Sequence, residues 1–358
     1  MRKKVVIGFS GGLDTSYCVK YFTDDLKYEV HSIIVNTGGF SKEELDQIEK
    51  HAKTLGVKSH TTIDATDSYY NSIIKYLVYG NVLKNSTYPL SVSAERVSQA
   101  LHIADHVKKI GADAVAHGST GAGNDQVRFD MIFHIMIPGV EIITPIRDMQ
   151  LSRQQEIDYL KMKGVKMNFE KSVYSINKGL WGTSVGGKET LSSNGMLPEE
   201  AWPTQLSKHD PEKVKLHFEK GELKGVNDKT FDHPVKAIQY LQSIAGPYAI
   251  GRDVHVGDTI IGIKGRVGFE AAAPMLIIKA HHALEKNVLT KWQLTIKSQL
   301  ADFYGNWLHE GQLLDPVMRD IEAFFTSSQQ NVTGDVFIQL MPYRYQVTGI
   351  ESPFDLMS

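Results

Sequence analysis

Cysteine, net charge and long apolar runs are all scarce in this chain of 358 residues. The single cysteine, Cys18, excludes an intrachain disulfide and a zinc site made of several cysteines. The net charge of -2 provides no general attraction for nucleic acid. No apolar run approaches the length of about 20 residues that a membrane-spanning helix needs, and the basic N-terminus leads directly into a strand-like segment rather than a signal peptide. We therefore expect a cytoplasmic protein that binds small molecules, not membranes or nucleic acid.

The chain is long for a single hydrophobic core, so we expect two domains. In the first part, strand-like runs alternate with helical segments, which predicts an α/β fold with a doubly wound parallel sheet. Beyond the predicted helix from Arg153 to Lys163, β-type runs and helices no longer alternate, which is typical of an α+β domain. We place the first domain at residues 1–165 and the second at 166–358.

The first strand-like run, Lys4 to Gly8, leads into the sequence Ser-Gly-Gly-Leu-Asp-Thr-Ser at Ser10–Ser16. Adjacent glycines let backbone N–H groups approach an anion, and the following helix adds its dipole. Asp14 is suited to hold Mg²⁺ or to orient a lysine. The sequence matches neither the Walker loop nor the spaced glycines of the dinucleotide fingerprint. An ordinary Gly-rich turn is the structural alternative, but the complete motif after the first strand favours a phosphate-binding loop. It resembles the pyrophosphate loop of N-type ATP pyrophosphatases.

Two later turns follow predicted strands and so belong to the same edge of the sheet, where doubly wound folds bind ligands. Asn36 ends the second strand and is a candidate nucleotide contact, with a plain βα turn as the alternative. The stretch His117–Asp130 combines three glycines with Asn124, Asp125 and Arg128. These side chains can recognise an ammonium and a carboxylate, as an amino-acid substrate requires. A flexible surface loop is the alternative there.

The secondary-structure pattern gives further expectations. Glycine and hydroxyl residues from Tyr174 to Gly187 indicate a loop, with or without ligand contact. The remaining expectations are helices at Ser68–Leu83, Arg96–Ile110 and Leu276–Gln299, a strand at Ile142–Asp148, and two strands between Val332 and Val347.

Taken together, these motifs resemble the argininosuccinate synthase family. The resemblance covers essentially the whole chain and is carried, besides Ser10–Ser16, by H-G-S-T-G-A-G-N-D-Q-V-R-F-D at His117–Asp130, T-P-I-R-D-M-Q-L-S-R-Q-Q-E-I at Thr144–Ile157, Y-S-I-N-K-G-L-W-G-T-S at Tyr174–Ser184 and, more weakly, E-S-P-F-D-L at Glu351–Leu356. It implies an adenine nucleotide alpha hydrolase-like first domain. It also implies a carbon–nitrogen ligase of arginine biosynthesis that joins citrulline to aspartate through citrullyl-AMP and releases AMP and pyrophosphate. The implied co-substrate is ATP with Mg²⁺, and the implied assembly is a homo-oligomer, either a dimer or a tetramer.

The resemblance also assigns residues by motif. Asp14, Asp125 and Arg128 are expected to be catalytic, and no dedicated protein ligands for a metal are expected. The ATP contacts are expected to be Ser10, Gly11, Gly12, Asp14, Thr15, Ser16, Asn36 and Gly118. Aspartate is expected to bind Thr120, Asn124 and Asp125. Citrulline is expected to bind Tyr88, Ser93, Asn124, Arg128, Ser175 and Ser184.

The sequence departs from the family pattern at three places. Ala122 stands where the family has a lysine, and the C-terminal helical arm used in oligomerisation is largely absent. Gly257 and Phe269 stand where the family has a glutamate and a tyrosine near the amino-acid end of citrulline. Loss of that carboxylate raises the hypothesis of an N-acylated citrulline as acceptor. The alternative is that Asp258 or Glu270, one residue further along, replaces it.

Two rival functions remain at the level of sequence. One is a different adenylating pyrophosphatase, but a tRNA-thiolating enzyme is expected to have reactive cysteines and a glutamine-dependent synthetase needs a glutaminase domain. The other is a non-catalytic nucleotide-binding protein. The complete Ser10–Ser16 loop favours catalysis.

Overall fold

The computed structural model describes residues 2–121, 123–170 and 173–357. Ala122, one of the departures from the family pattern, lies outside these residues. The chain forms two compact units. The first takes the described residues within 1–65, 95–172 and 259–261, and the second takes those within 66–94, 173–258 and 262–358. No helix among the described residues is both long enough and apolar enough to cross a membrane.

Strands and helices alternate early in the chain, as predicted. The strands are β1 (Lys4–Gly8), β2 (Glu29–Asn36), β3 (Ser59–Asp64), β4 (Ala114–Ala116), β5 (Glu141–Ile143), β6 (Ser175–Gly179), β7 (Gly182–Gly186), β8 (Glu212–Glu219), β9 (Glu222–Val226), β10 (Lys229–Thr230), β11 (Arg252–Asp258), β12 (Lys264–Glu270), β13 (Gly334–Met341) and β14 (Arg344–Glu351). The α-helices are α1 (Leu13–Lys20), α2 (Lys42–Thr54), α3 (Thr66–Tyr69), α4 (Lys75–Tyr79), α5 (Ser91–Ile110), α6 (Asp125–Met136), α7 (Pro145–Asp148), α8 (Arg153–Met162), α9 (Pro234–Ala245), α10 (Ala272–Val288), α11 (Lys291–His309) and α12 (Pro316–Ser328).

The first unit is built on a five-stranded parallel sheet in the order β3-β2-β1-β4-β5. The central strand β1 is apolar because both of its faces are covered, and Val5, Val6 and Ile7 are fully buried. Chain order reverses beside β1, which pairs with β2 on one side and β4 on the other. The loops after β1 and β4 therefore leave the same sheet edge side by side, at the point where such folds bind ligands.

Two boundaries in the first unit differ from the sequence expectation. The predicted strand Ile142–Asp148 is wrong beyond Ile143, because Pro145 occupies the first position of helix α7. Helix α5 begins at Ser91, five residues before the expected start at Arg96. The two serines in the first turn of this helix, Ser91 and Ser93, favour a loop in sequence, because serine is common in turns.

The second unit contains two antiparallel sheets, in the orders β10-β9-β8-β13-β14 and β11-β12-β7-β6. The expected loop from Tyr174 to Gly187 is wrong: it forms the hairpin β6–β7, closed by a turn in which Gly182 has φ +121°. The expected pair of strands near the C-terminus is confirmed as β13 and β14.

The long helices of the second unit are interrupted. The segment expected to be one helix from Leu276 to Gln299 is two helices, because Thr290 begins α11 with a capping box to Gln293. The segment Ser68–Leu83 is also divided, into α3, a π-helical turn at Tyr70–Ile74 and α4.

Candidate active site

The phosphate-binding loop predicted at Ser10–Ser16 connects β1 to α1 in the first unit. Gly11 has φ +76°, a conformation that L side chains rarely adopt, and a Cβ there would lie 3.3 Å from Cγ1 of Ile48. Gly118 follows β4, and a Cβ at that position would lie 3.2 Å from Cβ of Asp14 and 3.3 Å from the backbone nitrogen of Thr15. The structure thus brings Gly118 against the start of α1, where any side chain would be tightly confined.

The hydroxyl groups of this loop have two different surroundings. Ser10 is exposed, with its Oγ 3.4 Å from Oγ1 of Thr15, and it accepts a weak hydrogen bond from the backbone N–H of Gly12. Ser16 is fully buried, and its Oγ lies 2.9 Å from Nε2 of His51. Ser10 and Thr15 therefore face the open side of the loop, whereas the hydroxyl of Ser16 anchors α1 to α2.

Asn36 ends β2 at the same sheet edge. Its Oδ1 accepts hydrogen bonds from the backbone N–H groups of Gly38 at 2.9 Å and Phe40 at 3.3 Å. The side chain thus holds the turn in shape, as Asn does in turns. A nucleotide contact by Asn36 stays a prediction.

A buried carboxyl group lies beneath the phosphate loop. Glu156 of α8 is 3% exposed, and its Oε2 makes no hydrogen bond with the described residues. Burial and the neighbouring Asp14 carboxylate raise the pKa of Glu156 to about 8. At neutral pH the side chain of Glu156 therefore keeps its proton and is uncharged.

Asp125 lies between two arginines at the start of α6. Its Oδ1 accepts a hydrogen bond from Nη1 of Arg128 at 2.8 Å, and its Oδ2 accepts one from Nε of Arg96 at 3.2 Å. Burial alone would raise the pKa of Asp125, but the two guanidinium groups outweigh burial and lower it below its ordinary value. Asp125 is therefore an ionised acceptor with both oxygens fixed in direction.

Hydrogen bonds fix both ends of the loop from His117 to Asn124, which contains the other predicted aspartate contacts. Oδ1 of Asn124 accepts a hydrogen bond from the backbone N–H of Ile260 at 2.8 Å. His117 lies at the other end: its Nε2 is 2.9 Å from Oδ1 of Asp130, and its Nδ1 accepts from the backbone N–H of Ser119. Thr120 is exposed in the loop between them. His117 is therefore a structural residue, and Thr120 and Asn124 stay candidates for substrate contact.

In the second unit, four residues were predicted to contact citrulline. Tyr88 is buried, its ring stacks on His255 at 5.2 Å, and it contacts Phe269 at 5.4 Å. Its hydroxyl accepts a hydrogen bond from the backbone N–H of Val92, at the start of α5. Ser184 lies on β7 directly opposite Phe269 of β12. The structure thus brings Tyr88 and Ser184 to the same aromatic side chain.

The two remaining serines are more separate. Ser93 is buried in the first turn of α5, with its hydroxyl 3.5 Å from the carbonyl of Leu90. Ser175 begins β6 and is exposed. Contact of Ser93 and Ser175 with citrulline stays a prediction.

Sequence reasoning missed four residues of these surroundings: Glu95, Arg96, Glu156 and His255. Glu95 is almost fully buried next to Arg96, and burial raises its pKa. The consecutive acid and base in Glu95-Arg96 were an available signal. Glu156 was interpreted only as part of a helix start, and His255 carried no signal, because only strand pairing brings it to Tyr88.

Known proteins match this chain over both units. Residues 4–166 match the family model described as the arginosuccinate synthase N-terminal HUP domain, and residues 174–358 match that of the C-terminal domain. The chain is 37% identical to the argininosuccinate synthase of Methanocaldococcus jannaschii, over 100% of this chain and 91% of that protein. It is 36% identical to that of Xylella fastidiosa, over 99% of this chain and 90% of that protein. The chain belongs to the argininosuccinate synthase family.

Proposed function

We propose that this chain is a ligase that joins aspartate to the ureido group of citrulline at the expense of ATP, a step of arginine biosynthesis. The observation that carries the proposal is the complete Ser10–Ser16 loop, with Gly118 packed against it at the edge of a parallel sheet. An anion-binding loop at this edge fits the phosphates of a nucleotide. The family membership supports the same chemistry.

The proposed reaction has two steps. In the first, the ureido oxygen attacks the α-phosphorus of ATP, the bond from that phosphorus to the bridging oxygen breaks, and pyrophosphate leaves. In the second, the amine of aspartate attacks the activated ureido carbon, the carbon–oxygen bond breaks, AMP leaves with the former ureido oxygen, and the attacking nitrogen loses a proton. Such displacements depend mainly on alignment and on stabilisation of phosphate charge.

In the first unit, the proposed roles follow the surroundings of each group. Exposed Ser10 and half-buried Thr15 donate hydrogen bonds to phosphate oxygens, together with the backbone N–H groups at the start of α1. Ionised Asp125 accepts the ammonium of aspartate. Arg128 donates a hydrogen bond to Asp125 and so orients that carboxylate, and its positive charge favours a substrate carboxylate nearby.

In the second unit, we propose that Tyr88, Ser93, Ser175 and Ser184 bind the citrulline acceptor. The support is the packing of Tyr88 and Ser184 on Phe269. Hydroxyl groups beside an aromatic ring suit a neutral ureido compound held by hydrogen bonds and apolar contact.

Mg²⁺ is proposed to accompany ATP. In phosphate-transfer sites this ion keeps several waters and binds one or two carboxylates together with phosphate oxygens. Asp14 fits that need, because its side chain is partly exposed at the loop. The bound ion would neutralise charge on the departing pyrophosphate.

We also propose that the chain forms a homo-oligomer, a dimer or a tetramer. The support is a stripe of exposed apolar side chains on α11, at Trp292, Ile296 and Phe303. Spacings of four and seven residues place these side chains on one helix face. Light scattering coupled to gel filtration gives the mass directly, and a monomer at micromolar concentration would contradict the proposal.

A coupled pyrophosphate assay tests the function. Pyrophosphate release is expected only when ATP, aspartate and a citrulline-type acceptor are all present. Release that depends on tRNA or on glutamine would favour one of the rival pyrophosphatases. ATP binding without turnover under all conditions would favour a non-catalytic nucleotide-binding protein.

A further inference from the structure

Helix α6 of the first unit carries two different hydrogen-bond networks on two of its faces. One face contains Asp125 and Arg128, which the proposed function already uses. The other contains Gln126 and Asp130, whose spacing of four residues places them side by side on a helix. Both of these side chains contact Arg147 of α7, whose Nη1 donates hydrogen bonds to Oδ2 of Asp130 at 2.6 Å and to Oε1 of Gln126 at 3.2 Å. Arg147 therefore joins both groups of the second face.

The first connection from Arg147 runs through Asp130 to the backbone before Thr120. Oδ1 of Asp130 lies 2.9 Å from Nε2 of His117, which is buried. Nδ1 of His117 accepts a hydrogen bond from the backbone N–H of Ser119 at 3.2 Å. Because Nδ1 accepts, Nε2 carries the ring proton and donates it to Asp130. The residue before Thr120 is thus fixed through two side chains.

The second connection runs through Gln126 to the backbone after Thr120. The side-chain N–H of Gln126 donates to the carbonyl oxygen of Gly121, while its side-chain oxygen accepts from Arg147. A Cβ at Gly121 would lie 3.7 Å from Cγ of Arg147, so the backbone of this loop also lies against the stem of the arginine. Hydrogen bonds that lead to Arg147 therefore fix the backbone on both sides of Thr120.

The charge of Asp130 strengthens the first connection. Burial raises the pKa of Asp130, but the hydrogen bonds from His117 and Arg147 outweigh burial and lower it below its ordinary value. The carboxylate is therefore ionised at neutral pH. Hydrogen bonds to an ionised acceptor are stronger than those between neutral groups, so His117 is held firmly in place.

We infer that Arg147 is a positioning residue for aspartate: through Asp130 and Gln126 it fixes the backbone around Thr120. The inference rests on the proposed function, in which aspartate is a substrate, and on the expected contact of Thr120 with it. A loop that is already ordered has less conformational entropy to lose when the substrate binds. Loss of Arg147 is therefore expected to weaken aspartate binding more than binding of ATP at Ser10–Ser16.

The test measures KM for aspartate, ATP and the acceptor in the pyrophosphate assay. Arg147→Gln is expected to raise KM for aspartate about 10-fold, the scale of one charge-assisted hydrogen bond, and to change KM for ATP by less than about 2-fold. Gln126→Leu removes only the second connection and no charge, and is expected to raise KM for aspartate roughly 3-fold. Arg2→Gln, which removes an exposed arginine of the same unit, is the matched control and is expected to leave every KM unchanged.

The KM values separate positioning from a role in stability alone. Partial loss of folded protein lowers kcat but leaves KM as it is, so a role confined to stability predicts an unchanged KM for aspartate in Arg147→Gln. That result would overturn the inference and leave the ligase function intact. A rise in KM for ATP as large as that for aspartate would overturn it as well.

A double variant tests whether Arg147 acts through Thr120. Thr120→Ala alone is expected to raise KM for aspartate about 10-fold, and Arg147→Gln added to it is expected to raise KM by less than about 2-fold more, because the group to be positioned is already gone. Two effects that multiply in full would overturn the inference. Absence of pyrophosphate release by the unchanged protein with ATP, aspartate and the acceptor would reject the proposed function, and the role of Arg147 with it.

Discussion

The phosphate loop of the first unit differs in its charged groups from a region of the second unit that we call the acceptor patch: Tyr88, Ser184, His255, Gly257 and Phe269. Around the loop, Asp125 is kept ionised between two arginines, and the buried Glu156 has a raised pKa and keeps its proton at neutral pH. At the acceptor patch, Asp258 and Glu270 lie on the opposite face of the sheet and pair with cations, whereas Asp253 lies on the same face as Phe269. The proposed function assigns the phosphates and aspartate to the first unit, and it assigns the citrulline acceptor mainly to residues of the second.

The two regions also differ in how they are built. The loop is one continuous segment after a strand, stabilised by backbone geometry at Gly11 and Gly118. The acceptor patch draws residues from three strands and from Tyr88, so it depends on strand register. Substitutions at the loop are expected to act on nucleotide and aspartate, and those at the acceptor patch on the acceptor alone.

The largest effect is expected for Asp125→Asn. This change removes the negative charge of the carboxylate that Arg96 and Arg128 stabilise, so the ammonium of aspartate loses its proposed acceptor. We expect kcat/KM for aspartate to fall roughly 100-fold or more. Asp258→Asn, which removes an equally charged but exposed side chain, serves as control in the same steady-state assay. Comparable losses in the two variants would remove the distinction between the regions.

A smaller effect is expected for Gly118→Ala. The added Cβ would lie 3.3 Å from the backbone nitrogen of Thr15 and push the phosphate loop by a few tenths of an ångström. We expect KM for ATP to rise about 10-fold with little change for the acceptor. Gly123→Ala lies later in the same segment and meets nothing within 4 Å, so its KM for ATP is expected to match the unchanged protein. Equal kinetics of the two variants would show that the close approach at Gly118 has no role.

A still smaller effect is expected for Tyr88→Phe, which removes only a hydroxyl group from the acceptor patch. The ring contacts with His255 and Phe269 remain, but the backbone N–H of Val92 loses its acceptor, which costs about 1 kcal/mol of unfolding free energy. Urea denaturation measures that loss. Kinetics are expected to show a higher KM for the acceptor and an unchanged KM for ATP, and a rise in KM for ATP would break the separation of roles.

The smallest effect is expected for Glu156→Gln in the absence of nucleotide. The pKa of Glu156 is higher in the folded chain, about 8, than the ordinary value of 4.5. The folded state therefore holds this proton more tightly, and the associated stability is present below about pH 4.5 and lost as pH rises toward 8. Glutamine has no proton to lose, so the difference in Tm, variant minus parent, is expected to grow by a few degrees between pH 5 and pH 8. A constant difference would place the Glu156 pKa near its ordinary value.

The sequence allowed much of the first unit to be predicted, because its signals are local. The parallel sheet followed from apolar runs such as Val5-Val6-Ile7, and the phosphate loop from seven consecutive residues. The predicted boundaries of helices and strands were wrong where a single residue starts a helix. Pro145 occupies the first position of α7, and Thr290 caps the start of α11.

The acceptor patch was beyond sequence reasoning for a physical reason. The position of His255 over Gly257, and of Asp258 and Glu270 on the opposite face, depends on strand alternation and on pairing between β11 and β12. A shift of one residue would reverse every side chain. The glycine- and hydroxyl-rich composition of Tyr174–Gly187 likewise gave no sign of the hairpin β6–β7. In this hairpin β6 pairs with β7, and β7 also pairs with β12.

The central claim is that the ureido oxygen attacks the α-phosphorus of ATP. It is tested most directly with acceptors labelled with ¹⁸O in the ureido group, both citrulline and N-acetylcitrulline, followed by mass spectrometry of the products. If the ureido oxygen attacks, we expect the label in the phosphate of AMP, one atom for each turnover, and no label in pyrophosphate. Label found in pyrophosphate, or AMP formed without label while the ligated product accumulates, would contradict it.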